Sequence, residues 1–146
     1  MFDIHQLIKD VLDNFEVVIQ EKHITVNLIL EGKIQMVWGD PEKLLRVIQN
    51  LLDNAIKFQN GIITIETVEK QDKLWVYIKN NGEPIPKEDL SNIWDRFYKS
   101  DRSRGKDKKG MGIGLVIVKE IIKQHNEAMG VSSDENGSTF YFSTQK

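Results

Sequence analysis

The sequence contains no cysteine, which excludes disulfide bonds, thiolate nucleophiles and zinc sites built on cysteine. It also has little net charge: 22 aspartates and glutamates nearly balance 20 lysines and arginines, so no basic field favours nucleic acid. No apolar run approaches the roughly 20 residues of a membrane span, and the charged N-terminus is unlike a signal peptide. We therefore expect a soluble protein that does not bind nucleic acid.

The 146 residues suffice for one domain with its own core, and no internal repeat is present. Apolar residues at helical spacing predict helices over 2–22, 41–58, 86–97 and from about 112 to 125. Alternating apolar residues predict strands over 24–30, 61–69, 73–80, 128–133 and 138–144. Residues 98–110 hold almost no apolar side chain, which predicts a mobile surface loop. Because helices and strands mix without strict alternation, we expect helices layered on one face of a mixed sheet.

The second predicted helix carries a polar stripe at the edge of its apolar face. Asn50 and Asn54 lie one helical turn apart, with Lys57 beside them. Amide oxygens are suitable ligands for Mg²⁺, which keeps several waters and takes substrate phosphates as further ligands. Asparagine is a poor helix former, so two in the middle of a helix need an explanation. A solvated helix face is the alternative, and the stripe alone does not exclude it.

A second candidate is the turn that follows the strand at 73–80. Asn80 can present its side-chain amide to a flat polar ring, while Gly82 lets the backbone come close to a ligand. The alternative is an ordinary turn at a strand end, for which asparagine, glycine and proline are the expected residues.

A third candidate joins the polar loop to the glycines that follow it. Six lysines and arginines stand between positions 99 and 109, directly before Gly110. A helix that starts near Gly112 would point free backbone N–H groups at an anion, and the glycines would ease folding of the loop over it. The spacing fits neither a P-loop nor a dinucleotide fingerprint. A solvated basic loop is the alternative.

The three candidates stand in a definite order, and together they resemble a known family. The segments 50–58, 80–86, 93–104, 110–122 and 137–142 are similar to the N, G1, F, G2 and G3 boxes of the ATP-binding domain of sensor histidine kinases. That family shares a superfamily with gyrase, Hsp90 and MutL. The resemblance covers the chain from 1 to 146. It implies an α+β fold: a two-layer sandwich whose mixed, mostly antiparallel sheet is covered on one face by helices, with a mobile ATP lid at about 97–111.

The resemblance also implies roles for individual residues. Asn54 would be the Mg²⁺ ligand, Asn80 would accept a hydrogen bond from the adenine amino group, and Phe97 would anchor the lid. The implied catalytic residues are Asn50, Lys57 and Arg104. The implied nucleotide-binding residues are Asn50, Asn54, Lys57, Phe58, Asn80, Gly82, Ile85, Phe97, Lys99, Arg104, Gly110, Met111, Gly112, Ile113, Gly114, Leu115 and Thr139.

The sequence departs from the family pattern at two places. The usual Asp-x-Gly-x-Gly reads Asn-Asn-Gly-Glu-Pro at 80–84, where a neutral amide replaces a charged acceptor and a proline stiffens the turn. We therefore expect ATP binding to be weakened but not abolished. The usual His-Gly-Gly after the last helix reads His-Asn-Glu at 125–127, which puts that connection in doubt but not the site.

The resemblance further implies a reaction. Related ATPases have a general-base glutamate where this chain has Asn50, and an amide cannot take a proton from water, so we expect slow ATP hydrolysis. The γ-phosphoryl group would instead pass to a histidine on a separate dimerisation domain, and then to the receiver domain of a response regulator. His5, His23 and His125 lack the surroundings of that acceptor. We therefore expect a catalytic domain without its dimerisation domain.

The resemblance also implies an oligomeric state and a cellular location, and it leaves three alternative functions. Such a domain is expected to be monomeric alone, and to be the cytoplasmic part of a homodimeric parent in a bacterial membrane. One alternative is a serine kinase of the anti-sigma-factor type, although the extended F-box segment at 93–104 favours the histidine kinase. Another is a degenerate nucleotide-sensing interaction module, against which the polar stripe of the second helix argues. A purely structural protein is the third.

Overall fold

The computed structural model describes residues 1–94 and 111–146 of the chain. Its helices are α1 (Ile4–Asn14), α2 (Glu16–Glu21), α3 (Pro41–Phe58) and α4 (Met111–Gln124), with one 3₁₀ turn at Lys87–Asp89. Its strands are β1 (Phe2–Asp3), β2 (Thr25–Leu30), β3 (Met36–Val37), β4 (Ile62–Lys70), β5 (Lys73–Asn80), β6 (Met129–Asp134) and β7 (Gly137–Gln145). The main sheet has the order β2-β4-β5-β7-β6, and β1 pairs separately with β3.

Helix α3 begins and ends where the sequence predicts, at 41 and 58. The side chain of Asp40 accepts hydrogen bonds from the backbone N–H groups of Glu42 and Lys43, and Pro41 takes the first helical position. The apolar residues recur on one face of the helix and are buried in the core. This burial fixes which side of α3 faces the sheet, and hence where its polar stripe lies.

The predicted hairpin between β4 and β5 is confirmed, with its turn at Gln71 and Asp72. Both turn residues have positive φ, 54° and 63°, as a two-residue hairpin with a type I′ turn requires. Along β5 the burial alternates, so that alternate side chains face the core and the remaining ones are partly exposed. The sheet is therefore covered on one face.

The α+β fold class is confirmed. Among the strands that the structure describes, only β2 and β4 run parallel, and every other neighbouring pair in the main sheet is antiparallel. Side chains from α1, α3 and α4 join those of β4, β5 and β7 in one hydrophobic core. The molecule thus has two layers, with the helices over one face of a mixed sheet.

The helix predicted over 2–22 is two helices. At Phe15 the backbone N–H bonds to the carbonyl of Leu12 at 3.1 Å, a tight 3₁₀ closure that ends α1. Helix α2 then begins at Glu16. The sequence has neither glycine nor proline here, and its apolar residues keep their helical spacing past Phe15. Nothing in the sequence therefore indicates the break between α1 and α2.

The sequence predicts neither β1 nor β3, which pair with each other. Phe2 lies opposite Val37, and Asp3 lies opposite Met36. Two-residue strands are too short to show the alternation that identifies a strand.

The predicted helix over 86–97 was also wrong in its described part, which holds the single 3₁₀ turn followed by turns to residue 94. The loop predicted at 98–110 lies outside the described residues.

His125 joins the end of α4 to the start of α3. Its Nδ1 donates to the carbonyl of Ile121 at 2.8 Å, and its Nε2 accepts from the backbone N–H of Asp40 at 3.1 Å. The next residue, Asn126, adopts a φ of 55°, a left-handed conformation that asparagine tolerates better than most residues. The sequence His-Asn-Glu, in place of His-Gly-Gly, therefore still forms a hydrogen-bonded connection after α4.

Among residues 1–94 and 111–146, no helix is long and apolar enough to cross a bilayer.

Candidate functional site

The polar stripe of α3 contains a buried amide. Asn54 is 3% exposed, and its Nδ2 has no hydrogen-bond partner among the described residues. Asn50, one turn earlier, is partly exposed. A buried amide without a partner costs about 1–3 kcal/mol, so natural proteins seldom keep one without a reason. This separates α3 from an ordinary solvated face, where both amides would contact water.

Lys57 completes the stripe but forms a salt bridge with an acidic side chain of the same helix. Its Nζ lies 3.0 Å from Oδ2 of Asp53, four residues earlier on the same helix. Both side chains are partly exposed, so this pair contributes little to stability. The Asp53 carboxylate would compete with a phosphate for the ammonium group, which makes Lys57 a weaker anion ligand than the sequence alone suggests.

Asn80 supplies the second buried amide, at the end of β5. It is 1% exposed, and its Oδ1 accepts the backbone N–H of Gly82 at 2.9 Å. Its Nδ2 has no hydrogen-bond partner among residues 1–94 and 111–146. The predicted adenine contact uses the same oxygen, which accepts from Gly82 through one of its two lone pairs, so that contact stays a prediction. The free end of the amide is the donor end.

Gly82 brings the turn after β5 to the end of α3. A Cβ atom at this position would overlap the carbonyl oxygen of Phe58. Phe58 itself is buried, one helical turn beyond Asn54. The glycine is thus needed for the approach of two backbones, whereas the sequence interpretation assigned it to the approach of a ligand. This approach brings the end of β5, with the unpartnered nitrogen of Asn80, to the end of α3, one turn from the unpartnered nitrogen of Asn54.

A row of hydroxyl groups continues across the sheet from Asn80. In the register of the strands, Ser138 lies opposite Asn80 and also opposite Ser133. The two serine Oγ atoms are 3.2 Å apart, and Ser133 Oγ accepts the backbone N–H of Ile85 at 2.8 Å. Ile85 is buried in the hydrophobic core, and its contact with a nucleotide stays a prediction. The row ties the turn at 80–86 to β6 and β7.

The structure corrects the position of Thr139. In β7 it lies between the buried Ser138 and Phe140, and it is itself partly exposed. It therefore shares the uncovered face of the sheet with Lys79, its register partner on β5. Ser138 takes the place expected of Thr139 beside Asn80. Strand alternation counted back from Phe140 would have found this serine.

The glycine segment opens helix α4, which starts at Met111. Met111, Gly112 and Ile113 form its beginning, and Leu115 is buried in the core. A Cβ atom on Gly114 would lie 3.8 Å from Oδ1 of Asn50, so the start of α4 faces the polar stripe of α3. The remaining predicted site residues, Phe97, Lys99, Arg104 and Gly110, lie outside the described residues.

His5 lies in the interior of the domain, near the start of α1. It is 1% exposed, its Nε2 lies 2.8 Å from Oγ1 of Thr67, and burial lowers its pKa below the usual 6.5. His125 ends a helix as expected, and His23 is exposed with a φ of 55°. Because His5 is buried, it could receive a phosphoryl group from a nucleotide bound to another domain only if the residues around it unfolded.

The arrangement can be compared with known families. Residues 39–146 match the model of the histidine kinase-, DNA gyrase B- and HSP90-like ATPases. The chain belongs to this ATPase family. Most of the domain, including α3, the turn after β5, α4 and the last two strands, lies inside the matched region. The resemblance read from the five sequence boxes is thereby confirmed.

Relatives of this ATPase domain include sensor kinases. The probable sensor kinase SilS of Salmonella typhimurium is 40% identical over 121 residues, which is 82% of this chain and 24% of that protein. The sensor histidine kinase CusS of Escherichia coli K12 is 33% identical over 144 residues, 96% of this chain and 29% of that protein. The chain thus spans about a quarter of the length of these relatives, in which an ATPase domain of this family is the catalytic domain.

Solved structures agree with the fold. A nucleotide-free catalytic domain of histidine kinase ThkA is 28% identical, with a TM-score of 0.89 over 99% of this chain and 93% of that one. ThkA has also been solved in complex with the response regulator TrrA; that kinase chain is 26% identical, with a TM-score of 0.83, and this chain covers 41% of it. The match over nearly the whole catalytic domain confirms the two-layer architecture.

The ATPase domain offers few ligands of its own for a metal ion. The described residues include no group of three or more histidine, cysteine, aspartate or glutamate side chains that could hold one. Asn54 instead provides a buried amide with no partner for its nitrogen. A neutral amide oxygen suits Mg²⁺, which is commonly held by one or two protein ligands, several waters and the phosphates of its substrate. The amide oxygen of Asn54 is therefore chemically suited to Mg²⁺ delivered with a nucleotide, whereas its unpartnered nitrogen is a donor and cannot be a metal ligand.

Proposed function

We propose that this domain binds Mg-ATP and transfers the γ-phosphoryl group to a histidine on a separate dimerisation domain of a sensor histidine kinase. The observation that carries the proposal is the pair of buried amides, Asn54 on α3 and Asn80 on β5, each with an unpartnered nitrogen. Both lie in the region matched by the ATPase family, and α3 packs against the helix that starts with the glycine segment. Buried polar groups left open in this way support a site that a polar ligand completes.

The transfer itself needs positioning more than covalent chemistry. A nitrogen of the acceptor imidazole attacks the γ-phosphorus, the bond from that phosphorus to the β,γ-bridging oxygen breaks, and ADP leaves with the electron pair. Asn54 would hold Mg²⁺, whose charge would offset the charge of the phosphates when it is bound. Asn50 would orient the triphosphate, and Lys57 would pair with it in exchange for Asp53. Arg104 and Lys99 remain predicted phosphate ligands.

Asn50 limits the competing reaction with water. Its side chain is partly exposed and faces Gly114 at the start of α4, where a general base of an ATPase would stand. An amide has no useful basicity at neutral pH, so it cannot activate water as a carboxylate does. The γ-phosphoryl group would therefore be kept for a better nucleophile. A steady-state ATP turnover like that of a dedicated ATPase would contradict this assignment.

The partners are proposed from the relatives. SilS and CusS are named as sensor kinases, and ThkA was solved with a response regulator. We therefore place this domain in a two-component system, as the cytoplasmic part of a membrane-bound, homodimeric parent. A serine kinase of the anti-sigma-factor type and a nucleotide-sensing interaction module are the alternatives.

The first test is calorimetric titration with a non-hydrolysable ATP analogue, with and without Mg²⁺. We expect Mg²⁺-dependent binding by the wild type and its loss in Asn54→Ala. Asn60→Ala is the matched control, because Asn60 is exposed just after the end of α3 and its truncation should leave binding unchanged. Circular dichroism melting of each variant shows that it is folded. Absence of Mg²⁺-dependent binding in the wild type would contradict the proposal.

The second test separates the kinase from the alternatives. The domain is mixed with labelled ATP and a separately produced dimerisation domain that carries the acceptor histidine, and with the same domain whose histidine is replaced by glutamine. Acid-labile labelling of the first only supports histidine transfer. Binding of ATP without transfer favours the interaction module, and acid-stable labelling of a serine on a protein antagonist favours the serine kinase.

A further inference from the structure

Strand β2 is an open edge of the main sheet. It comes first in the order β2-β4-β5-β7-β6, and none of the described strands pairs with its outer side. The N–H of Thr25 donates to the carbonyl of Gly61 beside β4 at 2.8 Å, and in a parallel ladder alternate residues bond to the same neighbour. The backbone N–H and C=O groups of Val26, Leu28 and Leu30 therefore point away from the sheet, where an added strand could bond to them.

The helices cover the sheet incompletely at this edge. Leu28 lies opposite the fully buried Ile65 in the register of the strands, yet Leu28 itself is 43% exposed. A groove of about 330 Å³ lies between β2 and the helices α1 and α2. Its floor is apolar and consists of Leu12, Ile19, Val26 and Leu28. A strand added to β2 would continue its pleat, so every second side chain of that strand would enter this groove.

The rim of the groove is acidic. Asp13 near the end of α1 and Glu16 at the start of α2 are exposed, and neither forms an ion pair with a described residue. The strand beside them, 25–30, has no charged residue, and no lysine or arginine lines the groove. A lysine or arginine side chain could lay its aliphatic stem on the apolar floor and bring its charge to this rim.

We propose that β2 and this groove bind an extended basic segment of a partner protein, which adds a strand to the edge of the sheet. One apolar side chain of the segment would cover Leu28. Lysine or arginine two residues before it and two residues after it would meet Asp13 and Glu16. A second copy of the domain does not suit the groove, because antiparallel pairing of β2 with itself about a two-fold axis would place the two acidic rims side by side. None of these residues belongs to the proposed nucleotide site.

The probe that tests this proposal is a fluorescein-labelled peptide with blocked ends, Thr-Lys-Thr-Leu-Thr-Lys-Thr, whose binding to the domain is followed by fluorescence anisotropy. We expect binding that weakens by about fivefold or more when glutamate replaces both lysines. Two further peptides carry N-methyl groups either at the lysines and leucine or at the threonines. At least one of them should lose binding, because one set of backbone N–H groups would face β2.

Two pairs of variants test the protein side, and circular dichroism melting shows that each is folded. Leu28→Lys should abolish binding, whereas Ile29→Lys should keep it, because Ile29 is also exposed but lies on the opposite face of the same strand. Asp13→Asn combined with Glu16→Gln should weaken binding by about fivefold or more. Asp10→Asn combined with Glu21→Gln is the matched control, since it removes the same charge from α1 and α2 outside the groove.

Several results would overturn the proposal. Equal weakening in the two double variants would trace binding to net charge, and undiminished binding by Leu28→Lys would place the peptide elsewhere. Full affinity of both N-methylated peptides would exclude strand pairing. A dimer in sedimentation velocity that Leu28→Lys dissociates would show that a second copy occupies the edge. Failure of the folded wild type to bind the lysine peptide at its highest soluble concentration would also refute the proposal, and it would leave the nucleotide site untouched.

Discussion

Gly82 shows how one residue connects the fold to the candidate site. Its backbone lies against the carbonyl of Phe58 while its N–H holds the Asn80 amide. In Gly82→Ala the added methyl group would overlap that carbonyl, and a backbone atom cannot swing aside as a flexible side chain can. We expect the free energy of unfolding to fall by about 3 kcal/mol or more, measured by urea denaturation. A loss below about 1 kcal/mol would show that the turn after β5 can relax away from α3.

The site residues show what a sequence can and cannot predict at this scale. The polar stripe indicated Asn54 as a functional amide at the edge of the apolar face, because two asparagines in the middle of a helix need an explanation, but it did not indicate that this amide is buried. The Asn80 position was also predicted, but not the direction of its amide, which depends on a bond to Gly82. The resemblance named Thr139 because it identifies a segment, whereas strand alternation decides that Ser138 is the one of these two neighbours on the buried face.

At the scale of an element, the first turn of α4 allows a test of its glycines. The Cβ position of Gly114 has ordinary contact distances, 3.8 Å to Oδ1 of Asn50, so Gly114→Ala should fit the fold. Alanine favours a helix over glycine, and we expect thermal unfolding to show stability unchanged or raised by up to about 1 kcal/mol. The methyl group would stand beside the proposed triphosphate ligand, so the affinity for Mg-ATP should fall.

The expected combination, a fold kept or strengthened with weaker nucleotide binding, distinguishes a functional glycine from a structural one. Gly82→Ala is the contrasting variant, since its binding loss should follow from its stability loss. Unchanged affinity in Gly114→Ala, measured by the same calorimetric titration, would mean that the nucleotide does not approach this turn.

Elements were predictable where several local signals agree. For α3 the aspartate cap, the proline at the first position and the apolar period all indicate the same bounds. For the N-terminal segment the apolar period stands alone, and it continues through Phe15, where the helix breaks. The pairing of β1 with β3 joins residues more than 30 positions apart, so no local pattern announces it.

At the scale of the whole molecule, this N-terminal segment is fastened to the sheet by polar contacts. Asp3 Oδ1 accepts the backbone N–H groups of His5 and Gln35, at 3.0 and 3.1 Å. His5 meets Thr67 Oγ1, which also accepts the N–H of Glu31 at 3.0 Å. One buried imidazole thereby links α1, β4 and the segment after β2. Protonation of that imidazole would place a charge inside the core, so the anchoring of this segment should depend on pH.

The sign of the pH dependence follows from the pKa of His5, which burial lowers below 6.5. As the pH falls through 6.5, the unfolded chain takes up a proton that the folded chain refuses, so stability decreases until the folded pKa is reached. The loss should approach at most about 1.4 kcal/mol per pH unit, measured by urea unfolding between pH 8 and pH 5. His5→Gln should lack this component, whereas His23→Asn, at an exposed histidine of positive φ, should keep it. Parallel slopes for wild type and His5→Gln would show that His5 titrates normally in the folded domain.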